Sequence, residues 1–125
     1  MTESHIFSWS DFDAEHIPNI KCRTRVVTGE NMQLIWAEFA PDGKYAMHSH
    51  PHEQFSFMLQ GRLRLTVGEE EREIGPGDMW HAPANVPHGG VVLGDEPVIF
   101  IDVYSPVSDA MTQNMARLRA ARLGT

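Results

Sequence analysis

Cysteine is almost absent from this 125-residue chain, which contains only Cys22. No disulfide can form within the chain, and this cysteine usage is typical of a reducing compartment. The sequence therefore predicts a cytoplasmic protein. We interpret Cys22 as a small core or surface residue rather than as a nucleophile, since a reactive thiol needs an electropositive setting.

Long apolar runs and an excess of basic residues are also missing. No segment approaches the length of a membrane span, and residues 1–5 lack the basic and apolar stretches of a signal peptide. The 17 acidic residues outnumber the 10 Lys and Arg residues, which gives a formal net charge of −7. We therefore expect no nucleic-acid partner and no membrane partner. The length predicts a single domain over residues 1–125.

Short strands separated by glycine- and proline-rich turns occupy residues 21–106. Alternation of apolar and polar residues, together with β-branched and aromatic side chains, indicates several of these strands. The strands are predicted at 21–28, 32–39, 55–59, 62–67, 79–82, 91–93 and 98–104. This pattern predicts an all-β barrel or sandwich.

The two ends of the chain differ from this central part. Residues 1–20 are interpreted as an N-terminal arm or strand, whose aromatic residues offer apolar surface for a homodimer. Residues 107–123 are predicted to form a short C-terminal α-helix that Ser108 caps. We expect its apolar stripe to pack on the barrel or on a second subunit. The stripe consists of Met111, Met115, Leu118 and Leu123.

Histidines at alternate positions mark the most informative stretch of the chain. His48 and His50 would point to the same side of a strand, because side chains alternate along a strand. A further histidine, His88, ends the predicted loop 83–88. Imidazole is a common metal ligand, and an ion needs three or four donors. We therefore predict a metal site formed by these three histidines. His52 follows Pro51 and is interpreted as a rim residue.

An acidic residue interrupts the last apolar strand. Asp102 lies between Ile101 and Val103, where an unpaired carboxylate would be costly to bury. Either a catalytic acid/base role or a salt bridge to a barrel arginine explains it. Tyr104 is on the same side of the strand and is interpreted as a wall residue whose hydroxyl reaches the pocket.

These residues resemble the two motifs of the cupin superfamily, the small double-stranded β-helix or jelly-roll barrels. Gly43, His48, His50, Gln54 and Gly61 follow the spacing of the first motif, and Gly77, Pro83 and His88 follow that of the second. The resemblance implies a single cupin domain with its barrel over 21–106. It also implies that Gln54, in place of the usual glutamate, is the fourth metal ligand.

Two nearby polar residues are not included in this ligand set. Glu53 lies on the opposite face of the strand from Gln54 and is interpreted as a solvent-facing or salt-bridged acid. His81 is interpreted as a pocket or packing residue.

A narrower resemblance is to the KdgF-type pectin-degradation cupins, which convert unsaturated uronates to open-chain keto sugars. The similar segments are residues 48–54, 75–78, 85–89 and 102–106. This resemblance implies three histidines and a glutamine at the metal, with Asp102 and Tyr104 lining the pocket. The family's arginine, available to a substrate carboxylate, is replaced here by Ser108. A substitute would have to come from Arg23, Arg25, Arg62 or Arg64.

The predicted function is that of a metal-dependent lyase or isomerase acting on a sugar-like or uronate-like anion. One divalent ion (iron, nickel, zinc, manganese or copper) would act as Lewis acid, Asp102 would move a proton and Tyr104 would position the substrate. A cupin dioxygenase and a barrel that binds a small ligand without turnover are the alternatives. The neutral ligand set makes an oxygen-activating iron centre, which commonly includes a carboxylate, the weaker of these interpretations.

Overall fold

Ten β-strands and one α-helix form the computed structural model, which describes residues 4–124. The strands are β1 (Glu15–Ile17), β2 (Cys22–Thr28), β3 (Gln33–Phe39), β4 (Lys44–His48), β5 (Glu53–Gln60), β6 (Arg62–Val67), β7 (Glu70–Ile74), β8 (Met79–Ala82), β9 (His88–Leu93) and β10 (Val98–Ser105). The helix is α1 (Asp109–Leu123), and short 3-10 turns, Trp9–Asp11 and Pro18–Ile20, flank β1.

The strands form two antiparallel sheets that enclose one core. The larger sheet has the order β1-β2-β3-β10-β5-β8, and the smaller sheet has the order β4-β9-β6-β7. Strands distant in sequence are neighbours in both sheets, for example β3 with β10 and β6 with β9. The predicted all-β jelly-roll barrel with a C-terminal helix is therefore confirmed.

The inner faces of the two sheets supply the hydrophobic core. Along β10 the inward side chains alternate with half-buried outward ones, as expected for a strand with one face in the core. Phe100 is the central residue, since its ring lies 5.7 Å from that of Phe39, 5.2 Å from that of Tyr45 and 5.2 Å from that of Trp80. Burial of these aromatic residues stabilises the contact between the sheets.

The orientation of β5 is less expected, because its apolar residues face outward. Phe55, Phe57 and Leu59 are 51%, 38% and 52% exposed, whereas Gln54 and Ser56 are almost fully buried. Alternation along the strand puts these two sets of residues on opposite faces, but it does not indicate which face is internal. The buried polar face belongs to the site described below.

The end of the predicted loop 83–88 differs in the structure, because its last residue, His88, belongs to a strand. Strand β9 begins at His88 rather than at Val91, because this segment pairs with both β4 and β6. The histidine is therefore held by a ladder of backbone hydrogen bonds. The predicted N-terminal arm is described from residue 4 onward, and within it β1 pairs with β2.

The helix α1 begins as predicted, since the Ser108 hydroxyl accepts a hydrogen bond from the backbone amide of Met111 at 3.1 Å. Met111, Met115 and Leu118 are half-buried, whereas Leu123 is 54% exposed. The helix also contacts the barrel through polar groups. Arg122 donates two hydrogen bonds, of 2.9 and 3.0 Å, to the buried carboxylate of Glu15 on β1.

Among residues 4–124, no helix combines the length and the apolar character that crossing a membrane would require.

Candidate metal centre

Two of the three predicted histidine ligands are brought together by strand pairing. His48 ends β4 and His88 begins β9, and the two residues are directly opposite each other in the register of these strands. Their rings are 4.3 Å apart between centroids. Neighbouring antiparallel strands therefore join positions that are far apart in the sequence.

The third histidine lies in the loop between β4 and β5. The ring of His50 is 4.9 Å from that of His88 and 5.6 Å from that of His48. The carbonyl oxygen of His50 accepts a hydrogen bond of 2.8 Å from the backbone amide of Asn85. This bond ties the loop of the first motif to the loop of the second.

Each of the three rings is oriented by the same kind of backbone contact. The Nδ1 atoms of His48, His50 and His88 lie 2.8, 3.0 and 2.9 Å from the carbonyl oxygens of Ala46, His52 and Val86. A carbonyl can only accept a hydrogen bond, so each Nδ1 carries a proton, and Nε2 is the ring nitrogen left to bind a metal. Such contacts fix the tautomer of metal-binding histidines.

The free ring nitrogens converge on one point. One ligand atom from each of the three histidines lies within 4.8 Å of the others. The Nε2 atom of His88 is buried and has no hydrogen-bond partner among residues 4–124. Burial lowers the pKa of His88, so the ring stays neutral and able to bind a metal.

Gln54 is beside this cluster with its amide oxygen turned toward it. Its Nε2 donates hydrogen bonds to Ser56 Oγ at 2.9 Å and to Asp102 Oδ1 at 3.1 Å, which fixes the orientation of the amide. Its Oε1 faces Nε2 of His50 at 3.0 Å. With a neutral His50, two lone pairs face each other, an arrangement that a shared cation would stabilise.

The donor set therefore fits a divalent metal ion. Three imidazole nitrogens and one amide oxygen are ligands that suit transition metals such as iron, nickel, copper, zinc and manganese. The buried, unpartnered Nε2 of His88 and the close approach of His50 Nε2 to Gln54 Oε1 both fit an ion between them.

Asp102 lies on the inner face of β10, next to the glutamine. It is 5% exposed and accepts a hydrogen bond of 2.5 Å from Ser56, the residue opposite it on β5. Burial raises the pKa of Asp102 to about 7, opposed by the hydrogen bonds from Ser56 and Gln54. The salt bridge considered as one explanation for this acid is wrong, since no arginine or lysine of the described chain pairs with it.

Tyr104 also faces inward from β10, beside the histidines. Its ring is 4.9 Å from that of His50 and is stacked on that of His52 at 5.9 Å, with an angle of 14° between the planes. Burial raises the pKa of its hydroxyl, which therefore remains protonated and able to donate a hydrogen bond. His52 is half-buried and lies outside the three-histidine cluster, as expected for a rim residue.

Two further residues interpreted from the sequence lie on the outer face of the larger sheet. His81 Nε2 is 2.7 Å from a carboxylate oxygen of Glu53, and its ring is stacked on Phe55 at 4.5 Å. Glu53 is thus a solvent-facing acid in contact with His81, and His81 is a packing residue, in line with their interpretations.

A partly open cavity of about 290 Å³ begins beside the candidate metal centre, at His48. His48, Asp102 and Tyr104 form one part of its wall, and Met111 of α1 lines it from the helix. The rest of the wall is mainly apolar. The four arginines considered as partners for a substrate carboxylate are not among the residues that line it.

Sequence reasoning missed two polar residues of the site. Ser56 shares the inner face of β5 with Gln54, and this alternation was visible in the sequence without indicating a role. Tyr45 lines the cavity, and its ring is 5.5 Å from that of His48. Its buried hydroxyl lies beside the Gln54 side chain, without a hydrogen bond of normal length among residues 4–124.

Comparison with known proteins places this geometry in a family. A family profile described as "Cupin domain" matches residues 35–104, which is more than half of the chain. Among curated proteins, the pectin degradation protein KdgF of Dickeya dadantii is 27% identical over 86 residues, which cover 67% of this chain and 77% of that protein.

Oxalate decarboxylase OxdC of Bacillus subtilis is 27% identical over 64 residues, or 47% of this chain, and the chain spans only 17% of that relative. One relative is therefore an enzyme by name. The structure of KdgF from Halomonas sp. has a TM-score of 0.78 at 23% identity, covering 87% of this chain and 99% of that one, which shows a common fold. With both sheets formed and the profile matched from β3 to β10, this chain belongs to the cupin family.

Proposed function

We propose that the protein is a metal-dependent enzyme of the lyase or isomerase type that acts on a small molecule in its barrel. One observation supports this most strongly: Nε2 of His50 and Oε1 of Gln54 face each other at 3.0 Å, beside two further histidines. His48, His50 and His88 would hold the ion through Nε2, and Gln54 would hold it through Oε1. A bound divalent ion supplies Lewis-acid polarisation of a substrate oxygen.

Asp102 is proposed to move a proton during the reaction. Among the described residues that line the cavity, it is the only carboxylate. Ser56 and Gln54 both donate hydrogen bonds to its Oδ1, so they hold the group in one orientation. The second carboxylate oxygen has no hydrogen-bond partner in the described chain and is the atom proposed to exchange a proton with the substrate.

Tyr104 is proposed to donate a hydrogen bond to the substrate. Its ring contacts both His50 and the stacked ring of His52, which restricts its position. Its hydroxyl stays protonated over the physiological pH range, because burial raises its pKa.

Metal content is the first test of this proposal. Protein purified without chelator is expected to contain about one divalent ion per chain, measured by inductively coupled plasma mass spectrometry. His50→Ala should lose the ion, whereas His81→Ala should retain it, because His81 lies outside the cluster. If neither the purified nor a metal-reconstituted protein binds an ion, the proposal is wrong and a barrel that binds ligands without a metal becomes the better hypothesis.

The type of reaction is tested next with the metal-loaded protein. An unsaturated galacturonate is the first substrate to try, since one relative is named a pectin degradation protein, and loss of its conjugated-acid absorbance reports conversion. Oxygen uptake in the presence of candidate substrates would instead support a dioxygenase. Unchanged ligand after long incubation would support a binding function. The largely apolar lining of the cavity favours a different class of substrate.

A further inference from the structure

The cavity beside the candidate metal centre has a wall that is largely apolar. Beyond the metal end, the wall is formed by side chains such as Ile17, Ile20, Ile35, Phe39 and Phe100. The hydroxyl of Thr24, also in the wall, is already 3.5 Å from the thiol of Cys22. Few free polar groups therefore face the cavity between its two ends.

The arginines of the barrel point away from this cavity. Arg23 and Arg25 alternate with Cys22 and Thr24 along β2, and they lie on the outer face, where Arg25 is 4.4 Å above the ring of Trp36. Arg62 and Arg64 are on the outer face of β6 and pair with Glu73 and Glu71. These positions do not allow any of the four to bind a substrate carboxylate in the cavity.

Lys44 is the only cation among the described residues that line the cavity, and it lies at the end remote from the histidines. It begins β4, of which His48 is the last residue, so their Cα atoms are about 13 Å apart at 3.3 Å per residue. Lys44 is exposed to solvent. An exposed lysine at this distance is a weak anchor for a substrate carboxylate, because solvent and salt screen its charge.

A polyhydroxylated substrate would also lose hydrogen bonds in this cavity. Each hydroxyl that leaves water for an apolar wall without a partner is penalised. The free polar groups near the metal end are those of Asp102, Tyr104 and the unpartnered hydroxyl of Tyr45. They are enough for one or two substrate oxygens rather than for a full set of sugar hydroxyls.

On this basis, and resting on the proposed function, we propose that the substrate is an apolar cyclic compound with one or two oxygen functions. One oxygen would lie at the histidine cluster, and a second would accept a hydrogen bond from Tyr45. The ring body would fill the apolar part of the cavity. A cavity of ~150 Å³ binds benzene, so about 290 Å³ corresponds to a body of about two fused rings.

The test compares 2-naphthol, an apolar bicyclic probe with one hydroxyl, with D-galacturonate, a hydroxylated acid. Isothermal titration is carried out on both the metal-free and the metal-loaded full-length chain. We expect 2-naphthol to bind both forms and to bind at least tenfold more tightly than galacturonate. Tighter binding of galacturonate to the metal-loaded protein would overturn the proposal.

Two methionines of α1 provide a matched pair of variants. Met111 and Met115 are both half-buried on the same helix, but only Met111 lines this cavity, whereas Met115 lines a separate surface pocket. Met111→Ala is expected to weaken 2-naphthol binding several-fold, and Met115→Ala should leave it unchanged. Equal affinities in all three proteins would show that the probe binds elsewhere and would contradict the proposed substrate class.

The two proposals fail in different ways. Binding of 2-naphthol to the metal-free chain depends on the cavity wall and does not require an ion. Metal loss in His50→Ala depends on the histidine cluster and does not require a ligand. A protein that binds metal but prefers galacturonate would refute only the substrate class, and a protein that binds 2-naphthol but no metal would refute only the metal-dependent function.

Discussion

At the scale of single residues, the site depends on polar groups whose hydrogen bonds leave one chemically useful atom free. The backbone holds Nδ1 of each histidine and leaves Nε2 available. The amide nitrogen of Gln54 is held by Asp102 and Ser56, which leaves its oxygen facing His50. Buried polar groups are normally satisfied, so the free atoms indicate where a ligand binds.

Asp102 is the residue whose substitution should most selectively affect turnover. Asp102→Asn preserves the shape of the side chain but removes its ability to accept a proton. We expect kcat on the identified substrate to fall by at least ~100-fold, the usual contribution of general acid–base catalysis, while the metal content stays near one ion per chain. Glu53→Gln, an acid on the outer face of β5, serves as the control. Full activity in Asp102→Asn would exclude the proposed proton transfer.

Cys22 is predicted to react slowly in the folded protein. Burial raises the pKa of this thiol from 9.0 to about 11. The thiolate is the nucleophile, so its fraction at pH 8 is about 100-fold smaller than that of an ordinary thiol. Alkylation by iodoacetamide, followed by mass spectrometry, should be slow at pH 8 and should accelerate about tenfold per pH unit up to pH 10. Labelling in urea provides the comparison, and equally fast labelling of the folded protein at pH 8 would contradict this prediction.

At the scale of elements, strand register determines which residues meet. Pairing of β4 with β9 sets His48 opposite His88, and pairing of β5 with β10 sets Ser56 opposite Asp102. A shift of either pairing by one residue would turn these side chains to the other face of the sheet. The turns that fix the register are therefore part of the site.

The turn between β5 and β6 offers a direct test, because Gly61 adopts a left-handed conformation with φ of 83° in a crowded position. A Cβ atom there would lie 2.7 Å from the carbonyl oxygen of Pro97. Gly77 has a φ of 92°, but a Cβ atom there would meet nothing within 4 Å. The left-handed conformation costs a non-glycine residue about 1–2 kcal/mol.

We therefore expect Gly77→Ala to lower the free energy of unfolding by about 1–2 kcal/mol. Gly61→Ala should lower it by clearly more, because its Cβ atom would also meet the carbonyl oxygen of Pro97. Urea denaturation measures both variants. Equal destabilisation would show that the contact with Pro97 relaxes without cost.

At the scale of the whole molecule, the outer face of the larger sheet remains apolar and exposed. Phe55, Phe57, Leu59 and Met79 are 51%, 38%, 52% and 65% exposed. At ~200 Å² per large apolar side chain, they leave roughly 400 Å² uncovered, about half of what each partner buries in a standard interface. The half-buried Ile101 and Val103 extend this surface. We propose that a second copy of the chain covers it.

The predicted homodimer can thus use either the sheet face or the N-terminal arm. In the structure, Phe7 is 49% exposed and its ring is in edge contact with Phe12 at 5.4 Å. We expect a dimer by size-exclusion chromatography with light scattering, and a monomer for the double variant Phe55→Ser and Leu59→Ser. Phe7→Ser should remain dimeric. A dimer that only Phe7→Ser disrupts would assign the interface to the arm, and a monomeric wild type would rule out the dimer.

The sequence determined the local parts of this protein. Alternation of side chains identified the strands, the glycine and proline turns separated them, and Ser108 marked the start of the helix. The spacing of His48, His50 and His88 predicted their cluster, because ligands must share a face and the two motifs resemble those of a known family. Asp102 was singled out because an acid in an apolar strand needs a compensating interaction.

Only the tertiary structure decided how these parts meet. Alternation shows which residues share a face but not which face is internal, and so β5 has its polar side inside and its aromatic side outside. Alternation also leaves open which strands pair. In the structure, the pairing of β5 with β10 gives Asp102 a serine and a glutamine as partners instead of an arginine. The cavity takes its apolar lining from side chains on several strands and on α1. Its character therefore depends on long-range packing, which local patterns do not specify.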